Sequence, residues 1–102
     1  MKYQLVLQWP ASSVDDYDSM IATEDSLIEE LSSGSEVDGH DPGSGQVNIF
    51  IRTDEPTKTF DDVKNILKAS DAWTDIRIAY RNLEGSKYTV LWPKNLKEFK
   101  VF

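Results

Sequence analysis

Tyr3, Leu5, Leu7 and Trp9 alternate with Lys2, Gln4, Val6 and Gln8, the period-two pattern of a half-buried strand that Pro10 ends. The spacing then changes. Val14, Tyr17, Met20, Ile21, Leu27, Ile28 and Leu31 share one helical stripe, with Ser12 or Ser13 available as cap, Asp15 and Asp16 at the positive end, and Gly34 as terminator. Glu24 interrupts the stripe at a position that Tyr17, Ile21 and Ile28 mark as buried. A lone buried carboxylate is costly, so Glu24 is either paired or sits at a break. The run "TEDS" favours a break or bend, with Thr23 able to cap a restarted helix.

"SEVDGHD" and "QVNIFIRT" flank "PGSG", which predicts a tight hairpin, because Pro and Gly fix the turn and both flanks alternate. In "DEPTKTFDDVKNILKAS" Pro56 precedes a helix that Thr59 caps. Asp61 and Asp62 lie in its first turn, and Phe60, Val63, Ile66 and Leu67 form its buried face. "TDIRIAYR" and "KYTVLWP" on either side of "NLEGS" read as a second hairpin. Trp9, Trp73, Trp92, Tyr80 and Phe60 fall at element ends or on inner faces and read as core. Beyond Pro93 the tail interleaves Lys94, Lys97 and Lys100 with Leu96, Phe99 and Phe102, a short amphipathic turn that packs on the body.

The expected architecture is α+β: a ferredoxin-like split βαβ sandwich, βαββαβ plus an extra C-terminal strand, with two helices on one face of an antiparallel sheet. Residues 1–93 form the domain and 94–102 the tail. A length of 102 residues leaves room for one core. Strand parity directs Tyr3, Leu5, Leu7, Val37, Val47, Ile49, Ile51, Ile76, Ile78 and Tyr80 to the helices. Gln4, Val6, Gln8, Asp38, His40, Asn48, Phe50, Arg52, Arg77, Ala79 and Arg81 then face away, joined by Thr89 and Leu91. With the first strand between the third and fourth, three arginines flank a glutamine-lined centre.

"YQLVLQWP", "VDGHDPGSGQVNIFIRTDEP" and "AYRNLEGSKYTVLWP" together resemble a family of small bacterial proteins of unknown biochemistry. That family's pattern combines a Val-Asp-Gly-His-Asp segment, a Gly-Ser-Gly turn, an Asn-Ile-Phe-Ile strand and a terminal Tyr-x-Val-Leu-Trp-Pro. The resemblance spans nearly the whole chain and brings no activity with it.

Composition narrows the chemistry. Eleven Lys and Arg against 18 Asp and Glu give a net charge of −7, which repels phosphate backbones and suits a partner with a basic face. Nucleic acid is therefore not an expected partner. RNA stacking on Phe50 would also lack an aromatic partner on the first strand, since Tyr3 and Trp9 share the buried parity. The absence of cysteine removes disulfides, thiolate metal sites and thiol nucleophiles. The N-terminal run alternates instead of staying apolar, so a cytoplasmic location is expected, and the acidic body disfavours membrane binding by the tail.

His40, the only histidine, lies between Asp38 and Asp41, either of which could orient its imidazole. Asp38 and His40, two apart on one strand, point the same way. A structural hydrogen bond outweighs catalysis, because no second reacting group is identifiable. The same residues match no metal-site spacing, and "DGHDPGSG" lacks the oxygen spacing of a calcium loop. A strand, not a helix, follows the Gly43-Ser44-Gly45 turn. That argues against a phosphate cradle, and Ser44 is not at a nucleophile elbow.

No cofactor is implied, and two functions remain. The first is a non-enzymatic binding module, acting as monomer or homodimer, whose sheet face takes a protein or a small anionic ligand through His40, Asp38, Gln4, Gln8, Asn48, Phe50, Arg52, Arg77 and Arg81; an immunity-type role is one instance. The second is a dimeric α+β-barrel enzyme in which His40 and Asp38 form the acid-base pair. On the bland alternative this is a solvated sheet face, with Asp38 paired across strands to Arg52.

Overall fold

A computed structural model describes residues 1–10, 17–31, 34–43 and 45–101, with the backbone alone for residues 17–19, 42 and 43. The elements are β1 (Tyr3–Pro10), α1 (Tyr17–Glu30), β2 (Ser35–Gly43), β3 (Gln46–Thr53), α2 (Pro56–Leu67), β4 (Arg77–Asn82) and β5 (Thr89–Trp92), with a 3-10 turn at Asp71–Trp73. The protein is α+β. Among the described residues five strands form one antiparallel sheet in the order β2-β3-β1-β4-β5, so the first strand lies between the third and fourth.

One face of the sheet carries the main core. Leu5, Leu7 and Trp9 of β1, Ile49 and Ile51 of β3, and Ile76 and Ile78 at β4 pack against Leu27 of α1 and Val63 and Leu67 of α2. These are the residues that alternation assigns to the helices, and both helices lie on this face. The Trp9 indole Nε1–H donates to the carbonyl of Ala72 at 2.7 Å, which gives the buried ring's polar edge a partner.

The helices depart from expectation in instructive ways. α1 runs unbroken through Thr23–Asp25, and Glu24 is buried because it is paired, as described below. Its inward line is Met20, Glu24 and Leu27, with Leu31 partly buried, while Ile28 is 58% exposed. The candidate caps Ser12 and Ser13 lie outside the described residues. α2 begins at Pro56, not at Thr59: proline at the first helical position needs no N–H partner and its φ is already helical. Thr59 is instead buried, its hydroxyl 2.8 Å from that of Thr53, which ties the first turn of α2 to the end of β3.

Two corrections concern parity. In β2 the register shifts between Val37, opposite Ile51, and His40, opposite Ile49, so both face the helices. Asp38 and Gly39 form the bulge, and Gly39 has φ +107. An extra residue in one strand moves everything after it to the other face, so His40 does not share a face with Gln4 and Gln8. In β5 a register shift places Val90, not Thr89 or Leu91, on the face away from the helices; Leu91 packs against the main core. Gly39→Ala would force a side chain into the left-handed region, and a loss of about 1–2 kcal/mol in unfolding free energy is expected by urea titration.

Candidate functional site

The face away from the helices is organised in three rows across the strands. Glu36, Arg52, Gln4 and Arg81 form the first, Phe50, Val6, Ala79 and Val90 the second, and Asp41, Asn48, Gln8 and Arg77 the third. The middle row is apolar, and the C-terminal tail lies on it. Phe99 is buried against Val6 and Ala79, with Phe50, Tyr88, Val90, Leu96 and Val101 packed around them. The Tyr88 and Phe99 rings are 5.0 Å apart.

The tail also meets the third row. Gln8 Nε2 donates to the carbonyl of Lys100 at 2.8 Å and to Asn48 Oδ1 at 3.1 Å, and Gln46 Nε2 donates to the same Lys100 carbonyl at 3.1 Å. Gln8 and Asn48 are therefore buried, not displayed, which corrects their place on an open surface. Asn48 Nδ2 is buried and finds no hydrogen-bond partner among the described residues. The physical cause is the apolar middle row, which needs a cover and finds one in Phe99.

What stays accessible lies at the flanks. Arg52 is half exposed and its Nε donates to Asp38 Oδ2 at 3.0 Å, the cross-strand charge pair of an ordinary solvated sheet. Arg81 is half-buried and its Nη1 donates to the carbonyls of Asn82, Leu83 and Gly85, which holds the β4–β5 loop. Gln4 sits between them, and Arg77 is exposed. Arg52 and Arg81 are two strand spacings apart, about 10 Å between their backbones.

His40 belongs to a different environment. Its Nδ1–H donates to Glu24 Oε2 at 3.0 Å, with His40 and Glu24 side chains 22% and 11% exposed. Asp38 faces Arg52 instead, so the anticipated His40–Asp38 acid-base pair is not formed. The sheet face on which a second subunit would have to pack carries the tail. Among the described residues no three His, Asp or Glu side chains are grouped to hold a metal ion, and no helix is long and apolar enough to cross a membrane.

No protein-family model, curated protein or solved structure matches this chain.

Charge is unevenly distributed along the chain. Between Tyr3 and Ile51 the chain has ten Asp and Glu and not one Lys or Arg, whereas ten of the eleven basic residues lie from Arg52 onward. The fold turns this asymmetry into geometry. β2 is one edge of the sheet and α1 packs beside it, while β4 and β5 form the other edge and the lysine-bearing tail crosses the face away from the helices, reaching Gln46 of β3 through the Lys100 carbonyl. Counting charge by segment instead of over the whole chain would have found it.

Proposed function

We propose that the protein is a non-enzymatic binding module whose partner is a protein with a basic surface. The observation that supports this most directly is the segregated charge: α1 and β2 contribute no Lys or Arg, and Asp25, Glu29, Glu30, Glu36 and Asp41 are exposed there, while Glu24 is turned inward to His40 and Asp38 is paired with Arg52 of β3. Such a face steers a cationic partner into contact and repels an anionic one, and its effect weakens as salt screens it. An immunity-type role, in which a small acidic protein neutralises a basic one, is an instance of this chemistry.

The fold belongs to the same proposal. The first four strands, read from β4 to β2, follow 4-1-3-2, the order of a ferredoxin-like split βαβ sandwich, with β5 added on the outside of β4. The resemblance to a family of small bacterial proteins rests on Val37–Asp41, the strand Asn48–Ile51 and the terminal Tyr88–Pro93, and it assigns no activity. A cytoplasmic site of action fits a cysteine-free acidic chain. A second reading, a small anionic ligand, is favoured by the Arg52–Gln4–Arg81 row, where two guanidinium groups flank an amide; the anion would have to compete with Asp38 and Glu36 for Arg52 and with the loop carbonyls for Arg81.

An NMR titration of the labelled protein with a lysine-rich peptide, and separately with inorganic phosphate, tests both readings. The peptide is expected to shift amide resonances of α1 and β2, with affinity falling about tenfold or more between low and physiological salt. Phosphate shifting only Gln4, Arg52 and Arg81 would favour the anion reading. Silence with the peptide at low salt would overturn the basic-partner proposal.

A further inference from the structure

Where the last turn of α1 meets the start of β2, a groove is lined by Leu27, Ile28 and Leu31 from the helix side and Ser35, Glu36 and Val37 from the strand. Of its lining residues Leu27 is fully buried, whereas Ile28 is 58% exposed, although an isoleucine ordinarily gains by leaving water. Among the described residues no Lys or Arg lines it, and Asp25, Glu29 and Glu30 stand exposed on the same helix.

Those acids sit against the local rule for helices. The carbonyl end of a helix carries about half a negative charge and favours Lys or Arg nearby, yet the last turn of α1 holds Glu29 and Glu30 and no basic residue. The helix loses stability by this arrangement, and the loss is reversed when a cation arrives. The groove therefore combines apolar lining residues with carboxylates and helix carbonyls that all attract positive charge.

We infer that this groove is an anchor site for a lysine- or arginine-rich segment of a partner protein, which inserts an apolar side chain between Ile28, Leu31 and Val37 while its flanking cations meet the acidic residues of α1 and β2. The inference rests on the basic-partner reading and adds a location and an anchor to it. Charge brings the segment in, and the apolar side chain holds it, since a buried aliphatic group is what slows dissociation.

Two peptides of identical charge separate the parts: one lysine-rich with a central leucine, the other with serine in its place. Both are titrated against the wild-type protein and against Ile28→Asn, a neutral change at an exposed position. The leucine peptide is expected to bind the wild type about tenfold or more tighter than the serine peptide, and Ile28→Asn to remove that difference while leaving serine-peptide binding unchanged. Equal binding of both peptides to the wild type would overturn the anchor and leave the charge-steered reading standing. So would an undiminished leucine preference in Ile28→Asn. Binding of neither at low salt would overturn both.

Discussion

Phe99→Ala is expected to lower the unfolding free energy by about 3 kcal/mol, because the ring is buried and nothing else fills its place on the apolar row. Its removal exposes Val6 and Ala79, both fully buried, and leaves the Tyr88 ring without its partner at 5.0 Å. The hydrogen bonds from Gln8 and Gln46 to the Lys100 carbonyl depend on the same docking, and a freed tail gives them up to water. Urea unfolding measures the loss. Hydrogen exchange supplies the second readout: side-chain amide protons of Gln8 should become rapidly exchanging in Phe99→Ala while the amides of α2 remain protected. A loss within about 0.5 kcal/mol, the usual effect of an indifferent surface change, would mean that the tail does not hold the face.

The same docking decides which surfaces are free to work. A sheet with helices on one side commonly leaves its other side wet, and the polar residues of β1 and β3 suit that arrangement. Val6, Phe50 and Ala79 in the middle row do not, and they demand an apolar cover. With the tail in place the accessible chemistry moves to two margins of the molecule: the Arg52–Gln4–Arg81 row at one end of the face, and the acidic α1–β2 side with its groove. In the intact protein the margins, not the middle of the sheet, are open to a partner.

Much of the frame was legible because it follows from alternation and spacing. β1 and β3 carry alternating apolar residues uninterrupted by Gly, and each was placed on the correct side of the sheet; Val63 and Leu67 likewise mark the inner face of α2. The site was less legible, for reasons that lie in particular residues. Gly39 admits a bulge that rotates His40 to the helix side, and one inserted residue is invisible to a parity argument. Thr89–Trp92 is short and its register shifts beside Ala79, so its parity could be read either way. Glu24 looked like a helix breaker because its partner, His40, is 16 positions away and on the far side of a segment whose structure the spacing does not constrain. Phe99 could be assigned to a packed tail by its apolar neighbours, but spacing within a short tail does not choose its seat on Val6 and Ala79.

His40→Ala is expected to cost about 1–3 kcal/mol, more than Glu24→Ala, although both delete the same hydrogen bond. The asymmetry follows from burial. Glu24 is 11% exposed and faces inward from α1, so removing the imidazole leaves a carboxylate that water reaches poorly; His40 is 22% exposed and recovers solvent more easily. Replacing both by leucine removes the buried polar atoms together, and the double variant is expected to regain most of the stability lost by His40→Ala, because replacing both partners of a buried hydrogen bond by apolar groups is often nearly neutral. A double-mutant cycle on urea unfolding gives the coupling directly, and a value near zero would show that the 3.0 Å contact contributes nothing. The cycle also bears on function. If the pair only fastens β2 to α1, the Leu–Leu variant should keep both its fold and its affinity for a basic peptide. If peptide binding falls while stability is restored, His40 and Glu24 take part in recognition, and the acidic side of the molecule extends inward along β2 to this pair.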